Sequence, residues 1–194
     1  MLGDKQIDEA KRNAIKSINK GEIIKTSDIR YTDFFVKNSK DSSDSAKALF
    51  EISTNEKVRE LMGFSSFNGF LWVINASYYS MFYIARALLE SIGVKIKTDE
   101  SIHFHVFNAL VYYFYSNGKL ERHFIEDFQD AGQEASQALG KEKAKGLIED
   151  YSSEKEKRSR FTYEMGEIAL KNKAETSLSR AKKFNEEIRK LLKK

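Results

Sequence analysis

The chain has 194 residues, 41% hydrophobic and 32% charged, with a formal net charge of +4; this fits one domain plus appendages, with a core beneath a heavily solvated surface. It contains no cysteine, which excludes disulfides, thiolate metal sites and a cysteine nucleophile, and no proline, which leaves long helices uninterrupted. No apolar run approaches the ~18 residues of a membrane span, and MLGDKQIDEAKRNAIK lacks the apolar centre of a signal peptide, so the expected location is the cytoplasm.

Ile7, Ala10, Ala14, Ile15 and Ile18 recur at helical spacing ahead of Gly21, which predicts a short amphipathic helix and a stop. Residues 1–32 are expected to be an N-terminal helical extension, and residues 33–194 a helical bundle. The polar run KNSKDSSDS, Lys37–Ser45, offers turn and cap formers. A helix from about Asp44 to Met62 should follow, with Ala46, Leu49, Phe50, Val58, Leu61 and Met62 on its apolar face, and GFSSFNG should end it. The densest apolar segment, Phe70 to Gly93, is too long for a strand. Apolar on most of its circumference, it is expected to be the central helix. Within it Arg86 precedes Glu90 by four residues, the spacing of an ordinary helical ion pair. TDESIHFHVFNALVYYFYSNG, Thr98–Gly118, opens on cap formers, closes on Asn-Gly and reads as an aromatic-rich helix. A further helical region runs from Leu120 towards Tyr151 with an interruption near Gly140. The last helix is marked by Ala174, Leu178, Ala181, Phe184, Ile188, Leu191 and Leu192. The expected fold is all-α, an antiparallel helical bundle of about five to six helices.

Glycine-rich phosphate loops and dinucleotide fingerprints are absent, and no cofactor is implied. His103 and His105 stand two apart, a poor spacing for a shared metal on a helix, so no metal site is expected; His103 fits a helix start packed near the central tyrosines. The aromatic residues Tyr78, Tyr79, Phe82 and Tyr83, with Tyr112, Tyr113 and Tyr115, can stack bases. Helical spacing favours core packing for them, with hydroxyls reaching the surface. Tyr79, Tyr83 and His103 are the candidate cleft aromatics. Charge is uneven: residues 141–194 carry sixteen lysines and arginines against ten acids, a bias that marks either an anion-binding face or a solvated helix. In that third lies KRSRFTYE, Lys157–Glu164. Arg158 and Arg160 can contact phosphate, or pair at helical spacing with Glu154, Glu156 or Glu164; Tyr163 can reach a ligand or sit in the core.

The central helix carries Ala76, Tyr78, Tyr79, Met81, Phe82, Ala85, Ala87, Leu88 and Leu89 in the order A-x-Y-Y-x-M-F-x-x-A-x-A-L-L, followed by Ser101–His103, then Arg158, Tyr163 and Glu164, then Ala181, Phe184, Ile188, Leu191 and Leu192. On these residues, the region from about 33 to 194 resembles the HEPN domain family, in particular its small stand-alone prokaryotic, toxin–antitoxin-associated branch. The resemblance implies a helical bundle that pairs as a symmetric homodimer and binds RNA or a nucleotide, with a small nucleotidyltransferase as a partner. Many members are metal-independent ribonucleases with an arginine followed after four to six residues by a histidine. Arg158 matches the arginine, but Tyr163 stands in the histidine's place. Tyrosine ionises near 10 and is a poor general base at neutral pH, so phosphate binding by Arg158, Arg160 and Tyr163 is expected, and cleavage is not. The alternative reading, from a different class, is a non-catalytic helical scaffold that binds a partner protein.

Overall fold

A computed structural model describes the backbone of residues 2–98, 100–149 and 156–193, and the side chains of these except 141–168. The fold is an all-α helical bundle with one small two-stranded ribbon. In chain order come α1 (Asp4–Asn19), β1 (Ile23–Lys25), α2 (Thr32–Thr54), α3 (Glu56–Leu61), α4 (Phe70–Ser91), β2 (Val94–Ile96), α5 (Ile102–Leu110), a π-helical turn (Val111–Tyr115), α6 (Arg122–Glu149) and α7 (Glu156–Leu192).

The centre of the bundle is α4, which packs against α2, α6 and α7 and touches α5. Its sequence explains this place. It buries Val73, Ile74, Tyr78, Met81, Phe82, Ile84, Ala87, Leu88 and Leu89, positions that together take up well over half of a helix's circumference. Such a helix is stable only when neighbours cover most of its sides. Its Glu90, 4% exposed, accepts a bond from Lys95 Nζ at 3.0 Å and from the Tyr31 amide at 3.3 Å. Lys95, a residue outside the helix, thus pairs with this carboxylate, and the Arg86 guanidinium lies over the Phe35 ring, 4.4 Å from its centroid. Leu2, Ile7, Ala10 and Ile23 of the amino-terminal segment belong to the same buried cluster as Met81, Ile84 and Phe184. A buried bond between Ser17 Oγ and His105 Nδ1, 3.1 Å, ties α1 to α5.

Several elements depart from the sequence expectation. The polar run Lys37–Ser45 is the middle of α2 and not a break. Its charges pair at helical spacing, Lys37 with Asp41 and Lys40 with Asp44, so they support the exposed face of a helix whose other face buries Phe35, Ser39 and Ala46. The chain breaks at Asn55, whose extended backbone ends α2 and whose side chain accepts from the Val58 amide to start α3. Leu61 and Met62, assigned to an apolar face, are exposed. Gly140 does not interrupt α6, which runs on to Glu149. The ribbon was not foreseen: β1 and β2 are three residues each and pair antiparallel, Ile23 with Ile96 and Lys25 with Val94. Gly93 makes the pairing possible. Its φ is +75°, and a Cβ there would meet the Thr26 carbonyl oxygen at 1.8 Å, a position open only to glycine.

The two long C-terminal helices are held to each other and to α4 by mixed contacts. Phe184 stacks on Phe128 with centroids 5.6 Å apart. Arg180 Nη1 reaches Glu134 Oε2 at 2.7 Å. Asn185 Nδ2 donates to Ser80 Oγ at 2.6 Å inside the core.

Candidate functional site

A cavity of about 770 Å³ lies among α1, α4, α5 and α6, within the size range of small-molecule sites. Its aromatic residues come from three helices: Tyr78 and Tyr79 from α4, His103, Phe104 and Phe107 from α5, and Phe128 from α6. Tyr78 and Phe128 are buried, whereas Tyr79, His103 and Phe104 are exposed on one side. The cavity therefore has an aromatic floor and an aromatic rim.

The floor is held by one close approach. Gly132 of α6 faces Tyr78, and a Cβ there would lie 3.2 Å from its ring. A glycine inside a helix costs about 1 kcal/mol relative to alanine, and here its small size admits the tyrosine ring. Tyr78 then sits between Phe82 and Phe128, with centroids at 6.3 and 5.9 Å, and its hydroxyl meets His103 Nδ1 at 2.7 Å. Burial raises the Tyr78 phenol well above its ordinary value, so it stays protonated and can donate to Nδ1 when the imidazole proton is on Nε2. Burial first, and the nearby Arg86 charge second, lower the His103 value; the rim imidazole is neutral at pH 7.

Amides line the rest. Asn75 of α4, Asn108 of α5 and Gln129 of α6 all border the cavity. Asn75 and Asn108 are 4% and 1% exposed. Asn75 Nδ2 donates to the Leu71 carbonyl at 2.9 Å. Asn75 Oδ1, Asn108 Nδ2 and Gln129 Oε1 are shut from solvent and have no hydrogen-bond partner. An amide group buried without a partner costs about 1–3 kcal/mol, so three such groups around one cavity are expensive to keep. Among the described residues no lysine or arginine lines the cavity, and Glu9 is its one carboxylate. The described lining thus offers aromatic faces and carboxamides with little charge.

The candidate residues from the sequence fall in different places. Tyr79 and His103 come together at the rim, with ring centroids 6.0 Å apart. Tyr83 does not line the cavity; it packs behind, against Tyr79 and Phe82. Tyr112 and Tyr113 pack edge to face on each other at 4.9 Å in the π-helical turn, with Tyr113 and Tyr115 against the main core. Arg158, Arg160 and Tyr163 fall in the first turns of α7, and their side chains lie outside the described residues. Among the described residues, no group of three or more histidines or acids is placed to hold a metal ion. The sequence reading missed Asn75, Asn108, Gln129 and Gly132. Two of these carried a signal: Asn75 and Asn108 are lone amides in the middle of the most apolar helical stretches, FLWVINASYY and FHVFNALVYY, where a polar group must be buried.

Fold and site together define an all-α bundle with a cavity, open on one side, lined by aromatics and amides. Compared with known proteins, the chain matches no family model, no curated protein and no solved structure.

Proposed function

We propose that this chain is a HEPN-like protein that binds RNA or a nucleotide and does not cleave it. The observation that carries the reading is the cavity, where aromatic rings able to stack a base stand beside amides able to pair with its edge. The basic C-terminal third, with Arg158 and Arg160, supplies charge for phosphates. Tyr163 in place of a histidine leaves no general base in the family position. On the same resemblance the protein works in the cytoplasm as a symmetric homodimer beside a small nucleotidyltransferase; no helix among the described residues is long and apolar enough to cross a membrane. A second reading, a partner-binding scaffold, draws on Leu61, Met62 and Phe64, three exposed apolar residues close together around the end of α3.

Fluorescence anisotropy with a labelled single-stranded RNA, and calorimetry with nucleotides, test the first reading. Binding is expected to weaken steeply as salt rises, and Arg158→Ala to flatten that slope by about one unit. Absence of RNA and nucleotide binding at low salt would sink the proposal and leave the scaffold.

A further inference from the structure

We infer that the cavity among α1, α4, α5 and α6 receives the uncharged base of the ligand, held by Asn75, Asn108 and Gln129 and covered by Tyr79 and Phe104, while every phosphate stays outside it. This rests on the nucleotide reading above and specifies which part of the ligand the cavity takes.

Three independent features lead to it. The first is charge. The described lining has one carboxylate, Glu9, and no lysine or arginine, so an anion entering would lose hydration with no cation to replace it. The rim histidine adds no positive charge at pH 7, because burial first and the nearby Arg86 charge second lower its value. The second is the set of unpaired amide atoms, two acceptors and one donor, on side chains of three different helices that border one space; in the empty cavity each is shut from solvent, so a base meets them through a turn of the carboxamides. Carboxamides pair with base edges because each offers a donor and an acceptor in one plane. Asn75 has its nitrogen fixed on the Leu71 carbonyl, which leaves its oxygen as the acceptor for the ligand. The third is the aromatic boundary. Tyr79 is 37% and Phe104 46% exposed, so both present ring surface at the mouth, where a base can stack.

The arrangement makes a distinctive demand on stability. Groups kept unpaired for a ligand destabilise the empty protein, and replacing them with apolar residues of similar size stabilises it while abolishing binding. A purely structural role for the amides has the opposite signature.

The test is calorimetry on the full chain with guanosine, adenosine and their 5′-monophosphates, at low and high salt. At least one nucleoside is expected to bind within about threefold of its monophosphate, with little dependence on salt, because the phosphate is not in the cavity. Asn108→Leu and Gln129→Leu are expected to weaken that binding at least about tenfold, while leaving Tm unchanged or raised. Monophosphate or RNA binding without any nucleoside binding would overturn the inference and leave the nucleotide reading standing. Nucleoside binding that survives both substitutions, or substitutions that lower Tm together with binding, would also overturn it. Failure of nucleosides, nucleotides and RNA alike would remove both.

Discussion

Two glycines of α6 make a sharp test of how the cavity floor is built. Gly140 faces open space, with nothing within 4 Å of where a Cβ would stand. Gly140→Ala should therefore gain helix propensity alone, about 0.5–1 kcal/mol of stability. Gly132→Ala gains the same propensity, but its methyl would lie 3.2 Å from Tyr78 Cε2 and 3.4 Å from Cζ. The ring has little room to move. Its hydroxyl is fixed on His103 at 2.7 Å, and Phe82 and Phe128 flank it. Crowding a packed site of this kind costs about 1–3 kcal/mol, so Gly132→Ala should end about 0–2 kcal/mol less stable than the parent. The two variants then part by about 1–3 kcal/mol, which thermal melting reads at about 2–4 °C per kcal/mol for a chain of this size. Equal gains in Tm for the two alanines would refute the packing of Tyr78 against α6.

Two further outcomes follow from the same region. Phe82 is 4% exposed and Tyr79 37%, so in urea titrations Phe82→Ala should cost about 3–5 kcal/mol and Tyr79→Ala under about 1 kcal/mol; equal losses would mean that the rim is core. The folded-state value of His103 lies below its usual 6.5, so between the two values the folded protein binds fewer protons than the unfolded chain. Its contribution to stability is complete above about pH 6.5, is lost as pH falls through that value, and levels off below the folded one. His103→Gln should therefore flatten the fall in urea midpoint from about pH 7.5 to about 5.5 relative to the parent; parallel profiles would contradict the lowered value of the rim imidazole.

The central helix and the terminal helix were legible because their patterns are long and strongly apolar. Phe70–Ser91 and the strip Ala174, Ala181, Phe184 and Ile188 stand where periodicity put them. The middle of α2 was not legible, because Lys37–Ser45 looks like a turn until its acids and lysines are seen one helical turn apart on a solvated face. Composition marks Leu61 as core; only the chain's path leaves it 88% exposed. Tyr79 shows the same limit at one residue. Its position on α4 was predictable, but whether it faced core or cavity depended on where α5 crosses. The amide set was half legible: a lone asparagine in an apolar helix announces a buried polar group, yet nothing local says that Asn75, Asn108 and Gln129 share one space.

The β1–β2 ribbon also sets an order in time. Its partners lie far apart along the chain, Lys25 opposite Val94, and closing a flexible loop of that length costs about 4 kcal/mol, more than two three-residue strands can return. Helices α2 and α4 fill the interval and pack on each other; once they do, the strand ends are already neighbours and the closure cost has been met. The Thr26 amide can then reach the Gly93 carbonyl at 2.8 Å, and the Lys97 amide the Glu22 carbonyl at 2.8 Å. The clasp is thus expected to close after α2 and α4 have packed, and it anchors the end of α1, which leads directly into β1, against the segment that follows α4.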